Sequence, residues 1–317
     1  MDAAPIGGCA LVAGAGRPDA RGVNRVPLAL LLAVVALAIV AGPAAARPTV
    51  GIADHNVSTF TDANYRALGA RIARLVIPYD AVLNGGWERD QVDAWTAAAA
   101  AAGVEPMVAF NHSRTAGRVP TVAQYRRNIQ AFHARYPQVR VITPWNEANY
   151  KSQPTAKDPR LAAEFYNQTL SVFAGARIVA ADVLDQDDVL AWLRTFRTYA
   201  YQHPQLWGLH NYNDVNLFRA PATSVTASVL RYLPGAVWLT ETGGIVNSPR
   251  FPYDPDRAAR AVAHTFTIAD AFPRITRVYI YNWLGVASRT QWDAGLVDAG
   301  GRPRPALDVV RRYLRRP

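Results

Sequence analysis

From residue 49 onward the chain alternates short apolar runs, many of them β-branched, with longer stretches whose apolar positions recur at helical spacing. The expected strands are Thr49–Asp54, Ala73–Pro78, Glu105–Phe110, Arg140–Trp145, Arg177–Asp182, Leu206–Asn211, Ala236–Glu241 and Thr276–Asn282, eight in all. Their starts lie 24 to 40 residues apart, which leaves room in each interval for one strand, one helix and two loops. The intervals also carry helix punctuation. Thr121 and Gln124 make a capping box, Asp158-Pro159 and Asp254-Pro255 place a capping carboxylate ahead of a first-turn proline, and Gly103 stops the alanine-rich helix expected from Asp90 to Ala102. Between Asp187 and Tyr201, Val189, Trp192, Leu193, Phe196 and Ala200 fall on one helical face.

Strands that are apolar on both sides, each followed by an amphipathic helix, indicate a parallel sheet covered by helices. Eight such units fit an α/β fold, a single (β/α)8 TIM barrel, with an open doubly wound sheet as the runner-up. The barrel carries a corollary: functional groups gather at the C-terminal ends of the strands.

Composition adds an export signal. Arg17, Arg21 and Arg25 precede 14 apolar residues from Leu28 to Ala41, followed by Gly42, Pro43 and the triplet Ala44 to Ala46. This run is shorter than the roughly 18 residues that span a bilayer. Residues 1–46 are therefore expected to be a signal peptide cleaved after Ala46, with an uncleaved N-terminal anchor as the alternative, and residues 47–317 to be one domain. The expected location is secreted or cell-envelope associated. The single cysteine, Cys9, lies in the segment to be removed, so no disulfide and no thiolate metal site is expected. With half of its residues apolar and 18% charged, the chain relies on a large core. The formal charge of +10 comes almost wholly from arginines, scattered except for Arg311, Arg312, Arg315 and Arg316, a pattern that disfavours nucleic acid as a partner.

The strand ends read Asp54-His55, Pro78-Tyr79-Asp80, Asn111-His112, Trp145-Asn146-Glu147, Asp182, His210-Asn211-Tyr212, Thr240 to Gly244 and Tyr281-Asn282-Trp283. A buried, unpaired carboxylate is costly, so any single one of these is by default a structural ion-pair partner; the constellation is the stronger signal. Glu147 ends the fourth strand and Glu241 the seventh, and side chains three strands apart in a barrel of eight approach one cleft from opposite sides. Such a pair suits glycoside hydrolysis, and the same spacing suits a divalent metal.

Four motifs, W-N-E at the fourth strand, T-E-T-G-G at the seventh, the His210/Tyr212 pair at the sixth and Trp283 at the eighth, resemble the clan A glycoside hydrolases. The closing stretch from Gly295 to Ala306 is similar as well. The resemblance implies a retaining mechanism with Glu147 as acid/base and Glu241 as nucleophile. It further implies that Asn146 bonds the hydroxyl beside the reacting carbon, that Tyr212 orients Glu241, that Trp283 forms an apolar floor under the sugar, and that Arg74 lies near the nucleophile. The chemistry needs two environments. An apolar neighbour and a nearby negative charge keep a proton on the acid, while a phenol donor and an arginine keep the nucleophile ionised.

His55, His112 and His210, with Asp54 and Asp182, would resemble an amidohydrolase-like metal centre, but the first strand lacks H-x-H spacing and H-E-x-x-H is absent. These histidines are read instead as binding sugar hydroxyls or holding loops, and His112 and His210 are counted with the substrate-binding groups. No G-x-S-x-G occurs, which disfavours a serine esterase. Trp207 and Trp238 are expected in the core, Trp87 and Trp292 in βα loops as further sugar contacts. The loops from Asn149 to Asp158 and from Asn213 to Pro221 are expected to line the cleft. The reading is an exported retaining glycosidase acting on a β-linked glycan, without metal or other cofactor and monomeric by default; a non-catalytic carbohydrate-binding barrel is the alternative.

Overall fold

In a computed structural model, residues 47–115 and 119–316 are described. The expected signal peptide lies outside the described residues. The strands are β1 (Thr49–Ala53), β2 (Ile72–Pro78), β3 (Glu105–Asn111), β4 (Val141–Thr143), β5 (Arg177–Ile178), β6 (Ala180–Leu184), β7 (Leu206–His210), β8 (Ala236–Thr242) and β9 (Ile275–Tyr281). The helices are α1 (Ala63–Leu68), α2 (Ala81–Asn84), α3 (Gly86–Ala101), α4 (Val122–Arg135), α5 (Pro159–Val172), α6 (Val189–Tyr199), α7 (Tyr212–Asn216), α8 (Val225–Tyr232), α9 (Pro255–Ala271) and α10 (Pro305–Leu314). Among the described residues no helix is long and apolar enough to cross a membrane.

All strand pairs are parallel, in the order β5-β4-β3-β2-β1-β9-β8-β7-β6. The two ends of that order, β5 and β6, are separated in the chain by Val179 alone, whose N–H donates to Ile142 at 2.8 Å, so the sheet curls into a nearly closed barrel. The fifth expected strand is thus split in two. Just past the break, Ala181 and Asp182 take left-handed backbone angles (φ 70° and 54°), and the β6–β7 register shifts between Ala180 and Val183.

The helix punctuation behaves as its chemistry demands. Thr121 and Gln124 close a reciprocal capping box on α4, and the carboxylates of Asp158 and Asp254 accept the Leu161 and Arg257 amides ahead of α5 and α9. In α6, Val189, Trp192, Leu193 and Phe196 are the buried face.

Inside the barrel the inward residues form two tiers. The floor is apolar: Ile72, Met107, Val141, Val179, Trp238 and Tyr279 make one cluster, separate from the larger core between strands and helices. Above it the strands turn polar. Gly208 on β7 is required here, because a Cβ at that position would lie 2.4 Å from Asp182 Oδ1. Its missing side chain makes the room in which a buried carboxylate stands.

Candidate active site

The upper tier is organised by Arg74. Alternation along β2 puts it on the same inward face as Ile72, and it is 1% exposed. One guanidinium nitrogen donates to Glu241 Oε2 at 2.6 Å; the other donates to Asn146 Oδ1 at 2.6 Å and to Asp182 Oδ2 at 2.8 Å. Tyr212, the first residue of α7, donates its phenol to the second Glu241 oxygen, Oε1, at 3.0 Å. The Glu241 carboxylate is thereby held by both oxygens.

His210 ends β7 between two carboxylates. Its Nδ1 lies 3.3 Å from Glu147 Oε1 and its Nε2 lies 3.4 Å from Asp182 Oδ2. Burial alone would lower its pKa, but the charges of Asp182 and Glu241 raise it to about 10, which favours the protonated ring. Asp182 shows the converse. Burial would raise its pKa, yet His210, Arg74 and the hydroxyl of Thr240 hold its carboxyl well below the usual carboxylate range. Burial, then the Glu241 charge, drives the Tyr212 phenol well above its ordinary value, which keeps it a hydrogen-bond donor.

Glu147 follows β4 in a left-handed backbone conformation (φ 49°), which aims its side chain into the same space. One oxygen of Glu147, one oxygen of Glu241 and one nitrogen of His210 all lie within 4.8 Å of one another. Both glutamates line a cavity of about 430 Å³ whose walls include Asn111, Asn146, Tyr150, Tyr212, Tyr281 and Trp292. The side chain of Glu147 is 21% exposed and that of Glu241 11%, whereas Arg74, Asp182 and His210 are sealed beneath them.

Three donor groups so close together invite a metal, but their chemistry argues otherwise. The Arg74 cation already sits 2.6 Å from Glu241, and the charges around His210 favour its protonated form, which offers no lone pair. Asp54, considered with the histidines as a ligand, is instead structural. Its carboxylate accepts from Asn56 N at 2.6 Å, Thr59 Oγ1 at 3.2 Å, Trp283 N at 2.8 Å and Leu284 N at 3.1 Å, tying the exit of β1 to that of β9.

Glu147, Glu241, Asn146, His210, Tyr212 and Arg74 are therefore brought together. Two expected members are not. Trp283 is 2% exposed and packs edge-on against Tyr65 at 5.4 Å, in the core outside the barrel. The inward residues of β9 are Tyr279 and Tyr281; the chain leaves the strand at Asn282, and Asp54 captures the Trp283 amide, turning the indole away. The aromatic surface in the cavity is Tyr281 with Trp292, 5.5 Å apart. His112 is exposed and does not line the cavity, because the inward face of β3 runs Met107, Ala109, Asn111 and presents Asn111 in its place.

The expected lining loops also need correction. Of the stretch from Asn149 to Asp158, Tyr150 lines the cavity while both lysines are exposed. The stretch from Asn213 begins within the short helix α7, and its Asp214, Val215 and Asn216 are buried in the scaffold. Trp87 lies in the first turn of α3, not in a loop. Trp207 and Trp238 are buried, as expected of core residues. Asp182, seen in the sequence only as a strand end, is the residue whose role was least visible, since its importance comes from partners on β2, β7 and β8.

Comparison with solved structures identifies the architecture. A variant of a GH5_18 protein from Streptomyces cattleya, in complex with Manb1-4GlcNAc, superposes with a TM-score of 0.62 at 18% identity, covering 85% of this chain and 80% of that one. Xylanase 10B from Thermotoga petrophila, in complex with xylobiose, gives 0.59 at 13% identity over 84% and 93%. A GH10 endoxylanase from a sugarcane soil metagenome gives 0.57 at 13% identity over 85% and 97%. No protein-family model and no curated protein matches the sequence. The chain shares the parallel α/β barrel architecture of these GH5 and GH10 structures.

Proposed function

We propose that the protein is an exported retaining glycosidase acting on β-linked glycans. The observation that carries this reading is the pairing of Glu147 and Glu241 across one cavity with oxygens within 4.8 Å. Retaining enzymes keep their carboxyl groups about 5–5.5 Å apart, and inverting ones about 6.5–9.5 Å.

Glu241, fixed through both oxygens by Arg74 and Tyr212, attacks the anomeric carbon as the bond to the leaving oxygen breaks. Glu147 gives its proton to that oxygen. His210 Nδ1 lies 3.3 Å from Oε1 of Glu147, which leaves Oε2 to carry the transferred proton. In the second half, Glu147 takes a proton from water, whose oxygen attacks the anomeric carbon and releases Glu241. Export rests on the segment before Arg47, and the glycan on the polar and aromatic walls of the cavity.

A panel of aryl β-glycosides tests this. Glu241→Gln is expected to lower kcat by roughly 10⁴-fold or more on every substrate. Glu147→Gln should lose about 10²–10⁴-fold where the leaving phenol needs protonation, and much less for 2,4-dinitrophenyl glycosides, which leave unaided. Chelation by EDTA should change nothing. Binding of glycans without release by the native chain would support a carbohydrate-binding barrel instead.

A further inference from the structure

Beside the catalytic cavity lies a second, smaller one of about 150 Å³, bounded by the C-terminal half of β2, the first turn of α3 and Arg114. The two adjoin along His55 and Val76, which line both. Free-standing ligand pockets hold about 300–1,000 Å³, so a space of this size fits better as an annex of the main site than as a site of its own.

Its walls combine two kinds of surface. Trp87 is 63% exposed, an apolar ring that α3 presents largely to solvent. Around it stand Glu88, Gln91 and Arg114, with the Arg114 guanidinium 5.4 Å from the Trp87 ring centroid and 3.6 Å from a Glu88 oxygen. A pyranose ring offers the complement, an apolar C–H face and a rim of hydroxyls that both donate and accept. Arg114 and Glu88 neutralise each other, so the cavity presents no net positive charge to attract a carboxylate, and Glu88 would repel one.

Resting on the glycosidase reading, we propose that this cavity binds a second, neutral pyranosyl unit of the same glycan, stacked on Trp87 and bonded through Glu88, Gln91 and Arg114. The substrate is then an oligosaccharide or polysaccharide rather than a simple monoglycoside. Trp87 supports binding through area and stacking, and its removal leaves the fold intact because the ring is largely exposed, with the Arg114 side chain over it.

The test uses the full chain carrying Glu241→Gln, titrated by calorimetry with cellotetraose, mannotetraose, xylotetraose and tetragalacturonate, each with and without Trp87→Ala. At least one neutral tetrasaccharide should bind and lose about tenfold in affinity on removal of the indole, a loss matching the stacking worth of one aromatic ring. Tetragalacturonate should bind more weakly than that sugar. In the otherwise native chain, Trp87→Ala should raise KM for the bound tetrasaccharide about tenfold while changing kcat/KM for its aryl monoglycoside less than about twofold. Unchanged affinity for every neutral tetrasaccharide, or tighter binding of tetragalacturonate, would overturn the proposal. Loss of binding with Trp87→Ala in a chain that turns over nothing would uphold the sugar site and sink the hydrolase, whereas turnover indifferent to Trp87 would do the reverse.

Discussion

Ile72 and Arg74 stand two residues apart on one inward face of β2, yet they belong to opposite ends of the barrel. Ile72 packs in an apolar floor with Met107, Val141, Val179, Trp238 and Tyr279. Arg74, one tier higher, touches Glu241, Asn146 and Asp182 and lies 3.4 Å from His210. The floor is held by burial of area, and many hydrophobic sets of equal volume would serve it. The upper tier is held by charges that have left water and are stable only as a set. Replacing such a set with hydrophobic residues often costs nothing, so its retention here points to chemistry rather than to stability.

Substitution in each tier should separate the two. Arg74→Met strands Asp182 and Glu241 without their cation, and is expected to cost about 3–5 kcal/mol in urea unfolding and to abolish turnover in the molecules that remain folded. Met107→Ala in the floor opens a cavity costing about 2–5 kcal/mol, but the folded fraction should keep a normal kcat. If Met107→Ala lost catalysis in proportion to Arg74→Met, the separation into a supporting floor and a reacting mouth would fail.

A subtler difference lies in pH. The one ionisable side chain of the floor cluster, Tyr279, is pushed up to about 12 by burial, whereas His210, against the pull of burial, is raised from 6.5 to about 10 by Asp182 and Glu241. Its contribution to stability is therefore complete below pH 6.5 and is lost as pH rises toward 10. Asp182, with its pKa depressed from 3.8, acts in the opposite sense, contributing fully above pH 3.8 and losing that contribution as pH falls. The gap in thermal midpoint between the native chain and His210→Gln should accordingly be widest between about pH 4 and 6.5 and narrow steadily above it. A gap constant from pH 6 to 10 would show that His210 is not an imidazolium in the fold.

The barrel was legible because its signals are local: capping boxes, Asp-Pro starts and strand-length apolar runs report on a few neighbouring residues each. The split of the fifth strand is not legible in the sequence, because nothing in Arg177 to Asp182 announces the left-handed backbone at Ala181 and Asp182. Glu147, Glu241 and Tyr212 could be picked out from motif and order. Trp283 could not be told from Tyr281, because at a strand end one residue of register decides which aromatic faces inward, and here the Asp54 carboxylate decides it from the far end of the chain. Arg74 lies near the start of β2, and only its inward parity places it beneath Glu241.

The most direct test of the central claim is covalent trapping. Incubated with a 2,4-dinitrophenyl 2-deoxy-2-fluoro-β-glycoside of whichever sugar the native chain hydrolyses, the protein should lose activity and gain one glycosyl unit by mass, with peptide mapping placing it on Glu241. A label on Glu147 or any other residue, or an inverted product released with no adduct formed, would contradict the account.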